Sequence, residues 1–142
     1  MSTLGAHKIA GEHQRTIRLL THAAATATEA RAVFFALNDA VTLIGVAFVP
    51  DGAITGDNTN YTEMNLIDAG TAGAGSTEIA HIDWTTGVNG VAFDAKAFAT
   101  AALTTFTRYD LAAGAVVKLE FAKVSSGVAI PAGLLVIAYE PR

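Results

Sequence analysis

The sequence predicts an all-β fold: an antiparallel β-sandwich, jelly roll in topology, preceded by an N-terminal arm. Three observations lead there. Short runs rich in Val, Ile, Phe and Thr recur along the chain. Gly, Pro or Asn-Asp signals separate them at intervals of roughly 8 to 15 residues, the spacing of short strands joined by turns. No self-similarity at a period of roughly 20 to 50 residues marks a solenoid or propeller.

Taken in order, residues 1–14 mix small residues and His7, Lys8 and His13 with isolated Leu4 and Ile9, without a period. They read as a flexible arm, and residues 15–142 as one sandwich domain. Residues 15–22, RTIRLLTH, predict the first strand. Residues 23–31 are Ala/Thr-rich without large apolar side chains and read as a connection with room for one helical turn. Residues 32–37, AVFFAL, form a short strand, and Asn38-Asp39 turns the chain into the stretch around which the rest is organised. There Val41, Leu43, Ala47 and Val49 point one way if extended and Thr42, Ile44, Val46 and Phe48 the other, so residues 41–49 predict a central strand apolar on both faces. Pro50 has no N–H for a ladder and stops it, and Asp51-Gly52 supplies the turn.

Residues 61–68 alternate Thr62, Met64 and Leu66 against Tyr61, Glu63 and Asn65, the pattern of a half-buried strand. The glycines of residues 69–77 end it, and residues 78–84 resume it. Residues 85–89 turn, 91–93 are expected to pair briefly, and the alanine-rich 95–103 fits either a short helix or an irregular edge. Residues 104–109 have β composition and 111–114 read as a turn. Residues 115–124 alternate, with Val117, Leu119 and Phe121 inward and Val116, Lys118 and Glu120 outward. Turns at 125–127 and 131–133 lead to an apolar closing strand, 134–140.

A chain of 142 residues is one domain's length and buries a core without staples. It is 51% hydrophobic and 15% charged, with a mean hydropathy of +0.40. That is high for a soluble monomer and predicts that self-association hides apolar surface. No apolar run approaches the roughly 18 to 20 residues of a membrane-spanning helix. Residues 1–15 lack the basic start and apolar middle of a secretion signal, so the protein is expected to stay in the compartment where it is made. The absence of cysteine excludes disulfides and thiolate metal sites. A net charge of −4 argues against nucleic acid as a partner.

Motifs that could carry chemistry lack essential parts. The run from Gly70 through Gly73 to Gly75 has no following lysine and leads into a strand, so it reads as a turn and not a phosphate cradle. Ser76 lacks the glycine two positions later that a nucleophile elbow requires. His7, His13, His22 and His81 show no metal-binding spacing, and His81 reads as a half-buried, hydrogen-bonded imidazole. Asp57-Asn58-Thr59-Asn60 lacks the spaced carboxylates of a calcium loop and reads as a turn held by side-chain bonds. The sequon Asn60-Tyr61-Thr62 has no secretion signal to give it meaning. Trp84 is assigned to the sandwich core over a sugar-stacking platform. No catalytic, cofactor or metal residues are therefore expected, and the chain is not expected to be an enzyme.

Three segments carry a family resemblance: FVPDGAITGDNTNYTEMNLIDAG (48–70), AGAGSTEIA (72–80) and DLAAGAVVKLEFAKVSSGVAIPAGLLVIAYEPR (110–142). A strand ending in Val-Pro followed by a T-G-D-N-T-N-Y turn, a glycine loop, an A-A-G turn and a G-x-A-x-P-A-G segment before the last strand resembles the small capsid decoration, or cement, proteins of tailed bacteriophages. The resemblance implies a homotrimeric jelly-roll structural protein of the virion. Made in the host cytoplasm, it would bind the major capsid protein on the outer capsid surface and staple neighbouring subunits. It also implies a role for the arm, whose candidate capsid contacts are Leu4, His7, Lys8, Ile9 and His13. A second reading is a phage head- or tail-fibre module recognising a host glycan, since jelly rolls often serve as lectins. It would use Trp84, Tyr61 and Tyr109, and an aromatic content of 8% ranks it lower.

Overall fold

The structure, a computed structural model, describes residues 12–24, 27–100 and 106–142. Among them are nine strands and no helix: β1 (His13–Leu19), β2 (Glu29–Phe35), β3 (Val41–Pro50), β4 (Tyr61–Asp68), β5 (Thr77–Asp83), β6 (Lys96–Ala97), β7 (Tyr109–Leu111), β8 (Val116–Val124) and β9 (Gly133–Pro141). They form two antiparallel sheets packed as a sandwich. One has the order β1-β9-β3-β6, with β7 also on β3, and the other the order β2-β8-β4-β5.

The pairings are nested. β1 pairs β9, β2 pairs β8, β3 pairs β7 and β4 pairs β5, so the chain runs as one long folded-back ribbon. Two further pairings, β3 with β9 and β4 with β8, roll that ribbon into two sheets. This order is consistent with a jelly roll, where strands from the two halves of the chain alternate within each sheet.

Alternation places the core where both outer pairs meet. On β8, Val117, Leu119 and Phe121 are buried and Lys118 and Glu120 are only partly so; on β4, Thr62, Met64 and Leu66 are buried. Leu135 and Ile137 of β9 join them, with Phe48, Trp84 and Phe98. Gly133 starts β9 beneath the Phe48 ring and the Val49 carbonyl, a gap that a Cβ would close.

β3 departs from simple alternation. Its register with β9 shifts between Leu43 and Gly45, so Ile44 is an extra residue opposite no partner. This bulge resets the parity, and Val41, Leu43, Val46 and Phe48 all face the core, although uninterrupted alternation assigns Val46 and Phe48 to the face opposite Val41 and Leu43. The strand ends at Pro50 as its chemistry requires, with the Asp51 N–H donating to the Ala132 carbonyl at 2.8 Å.

Other boundaries also move. β1 takes in His13 and Gln14, which the arm was expected to contain, and ends at Leu19; His22 then bridges to Ile130. β2 starts at Glu29 within the expected connection. Residues 91–93 form a turn, not a pairing segment, and the described part of the alanine-rich stretch, 95–100, is an edge: β6, then Ala99 bridging to His81. β7 covers only the end of the expected 104–109 strand and extends to Leu111.

Candidate functional site

The residues singled out for chemistry occupy separate places. His81 on β5 is half-buried, with Nδ1 2.5 Å from Glu78 Oε1 and Nε2 4.0 Å from Asp83, beside a shallow hollow of about 330 Å³. His22, packed against β2 and β8 of the same sheet, is buried; its Nδ1 lies 2.7 Å from Glu29 and its ring stacks on Phe121 at 4.8 Å. Arg31 completes that cluster, 2.6 Å from Glu29 and with its guanidinium 5.0 Å over the Phe121 ring. The His22 hydrogen bond first, and Arg31 second, hold the Glu29 carboxyl below its ordinary range. Nothing in RTIRLLTH marks His22 as interior, because its partner lies beyond the loop in β2. Among the described residues no group of three or more His, Asp or Glu side chains could hold a metal ion.

The loops at one end of the sandwich bond to each other. Asp57 Oδ1 accepts the backbone N–H groups of Thr59 and Asn60, both at 2.7 Å, and those two bonds, Asn60 first, lower the Asp57 pKa. Asn58 and Thr86 exchange a reciprocal pair, Asn58 N–H to Thr86 Oγ1 at 3.1 Å and Thr86 N–H to Asn58 Oδ1 at 3.0 Å. Asn89 accepts the Gly56 N–H, and Asn60 accepts the Ser126 N–H. The oxygen-rich run thus spends its acceptors on backbone donors from three loops and is the turn its sequence predicts. The glycine run is also a turn: Gly70 and Gly73 have positive φ, and the chain passes directly into β5. Ser76 is exposed in it.

Of the aromatics that a sugar site would use, Trp84 is fully buried edge-on to Phe48, as assigned from sequence. The Tyr109 hydroxyl donates to Asp68 at 2.7 Å, linking β7 of one sheet to β4 of the other, and Tyr61 is half-buried.

Among the described residues, three groups of apolar side chains reach the surface together. On the outer face of the β1-β9-β3 sheet, Val136 lies opposite Ala47 and Leu134 opposite Val49, with Ala97 of β6 extending the first row. These side chains alternate with the buried Leu135, Ile137 and Phe48, so they point away from the core and are partly exposed. Both faces of the central strand pair are therefore apolar, and only one is covered by the sandwich. Between the edge strands β1 and β2, adjoining hollows of about 220 and 550 Å³ are lined by Arg15, Phe34, Phe35 and Leu37, with Tyr139 closing one and Val116 the other. At the opposite end of β3, Val91 and Phe93 project from a turn closed by the Asp94 N–H on the Val91 carbonyl at 3.1 Å. Phe93 takes φ 65° there, a left-handed backbone that glycine adopts freely and a phenylalanine only at a cost of about 1 to 2 kcal/mol. Sequence reasoning missed Phe93, since no glycine or asparagine marks the position.

Of the arm candidates, Leu4, His7, Lys8 and Ile9 lie outside the described residues. His13 belongs to β1, where it pairs with Tyr139 and stacks on its ring at 5.6 Å.

Compared with known protein families and with curated protein sequences, the chain finds no match in either. Among solved structures it is similar to a chain in the structure of the Gx strain of infectious bursal disease virus, at 10% identity and a TM-score of 0.37. The likeness covers 99% of this chain but spans only 36% of that one.

Proposed function

We propose that this chain is a non-enzymatic structural protein of a tailed-bacteriophage virion, which decorates the outer surface of the capsid and binds major capsid subunits as a homotrimer. The observation that carries the reading is the second apolar face of the β3-β9 pair, with Val136, Ala47, Leu134 and Val49 turned outward. A rigid sheet face of this composition suits a flat protein surface better than a small ligand. The loop network supports the reading too, because the T-G-D-N-T-N-Y segment behind the family resemblance spends its side-chain acceptors on tying loops together.

The mechanism is passive. A decoration protein that binds the mature lattice and not its precursor stabilises that lattice by mass action. Three linked attachment points give avidity with no single tight contact.

The test is co-sedimentation with expanded phage heads that lack this protein. Wild-type chain is expected in the pellet at saturable stoichiometry, and Val136→Glu, which places a charge in the centre of the outer face, in the supernatant. A wild-type protein that stays in the supernatant at every ratio sinks the reading.

A further inference from the structure

Two of the exposed apolar features have complementary shapes. The Val91–Phe93 tip is convex, with Val91 62% and Phe93 78% exposed. The groove between β1 and β2 is concave, and its rim residues Phe35 and Leu37 are 50% and 63% exposed. They cannot meet within one chain. Val41, at the start of β3, lines the groove, whereas the Phe93 N–H is bonded to the carbonyl of Pro50 at the strand's other end. Ten extended residues separate them by about 30 Å.

Charge follows shape. Exposed Arg15 of β1 borders both hollows of the groove, and exposed Asp94 adjoins Phe93 on the tip. Neither enters an ion pair among the described residues. The tip is also held rigidly, by the Phe93 bond to Pro50 and by the Ile54–Gly90 bridge behind it. A strained, exposed aromatic on a fixed turn does nothing for its own core, so its contribution lies in a contact outside the chain.

We propose that the Val91–Phe93 tip of one copy seats in the Phe35–Leu37 groove of a second copy, with Asp94 facing Arg15. The contact is heterologous: each copy offers a tip at one end and a groove at the other, so copies join head to tail, the arrangement that a cyclic oligomer such as the proposed trimer requires. This rests on the reading that the chain works as a self-associating assembly, and it names the surfaces that make the assembly.

Heterologous contacts have a signature that two-fold contacts lack. Phe93→Glu destroys the tip and keeps the groove, whereas Phe35→Glu does the reverse. In analytical ultracentrifugation each variant alone is expected to be monomeric, associating about 10- to 100-fold more weakly than wild type. Mixed in equal amounts they are expected to form a two-chain species and stop there, because one intact tip meets one intact groove. Phe93→Gly separates folding from contact: with the left-handed backbone relieved it should melt no lower than wild type and still fail to associate. Wild-type chain that is monomeric, variants that assemble like wild type, or folded single variants that do not complement each other would each overturn the proposal. Self-association is measured without phage heads, so its result stands whichever way the head-binding assay falls.

Discussion

Tyr109 ties the two sheets together through a single hydrogen bond, and its ionisation reports on that tie. Burial, followed by the hydrogen bond and charge of Asp68, pushes its pKa from 10.0 to about 12. Between those values the unfolded phenol has lost its proton and the folded one has not. Stability is therefore full below pH 10 and falls as pH rises toward 12. Urea titrations at successive pH values should show this decline in wild type, and Tyr109→Phe should flatten it. Phe48 offers a different kind of test. It is fully enclosed, edge-on to Trp84 and over Gly133, so Phe48→Ala should cost about 3 to 5 kcal/mol in denaturant unfolding, through lost transfer energy and the cavity left behind.

Elements follow their sequence where alternation runs unbroken. Val117, Leu119 and Phe121 of β8 and Thr62, Met64 and Leu66 of β4 are inward as the two-residue period demands. β3 breaks the rule at Ile44, because a bulge adds a residue without leaving a compositional mark. Deleting Ile44 should keep Val41, Leu43, Val46 and Phe48 all on the core face, because the remaining residues then alternate without interruption against β9, and the variant should retain a cooperative thermal transition. The 51–60 loop was legible for the opposite reason, since Asp, Asn and Thr at short spacing have a local bonding habit that needs no distant partner. Asp57→Ala should leave the sandwich folded and speed hydrogen exchange at the Thr59 and Asn60 amides, which lose their acceptor. The His22–Glu29–Arg31 cluster and the backbone of Phe93 depend on tertiary placement, and no local pattern carries either.

For the whole molecule, the central sheet pair is apolar on both sides, in keeping with a mean hydropathy of +0.40, and no helix among the described residues is long and apolar enough to cross a membrane. If the arm serves attachment, removing residues 1–11 should leave the melting transition unchanged and lower the occupancy of decorated heads. The cut belongs before His13, because His13 pairs within β1. The nested pairing also has a consequence for synthesis on the ribosome. β9 lies between β1 and β3, yet its residues, 133–141, emerge more than a hundred positions after His13. Until they clear the exit tunnel, β1 and the apolar β3, both made early, wait with unsatisfied edges, so nascent chains arrested before residue 133 are the species that chaperones would be expected to hold.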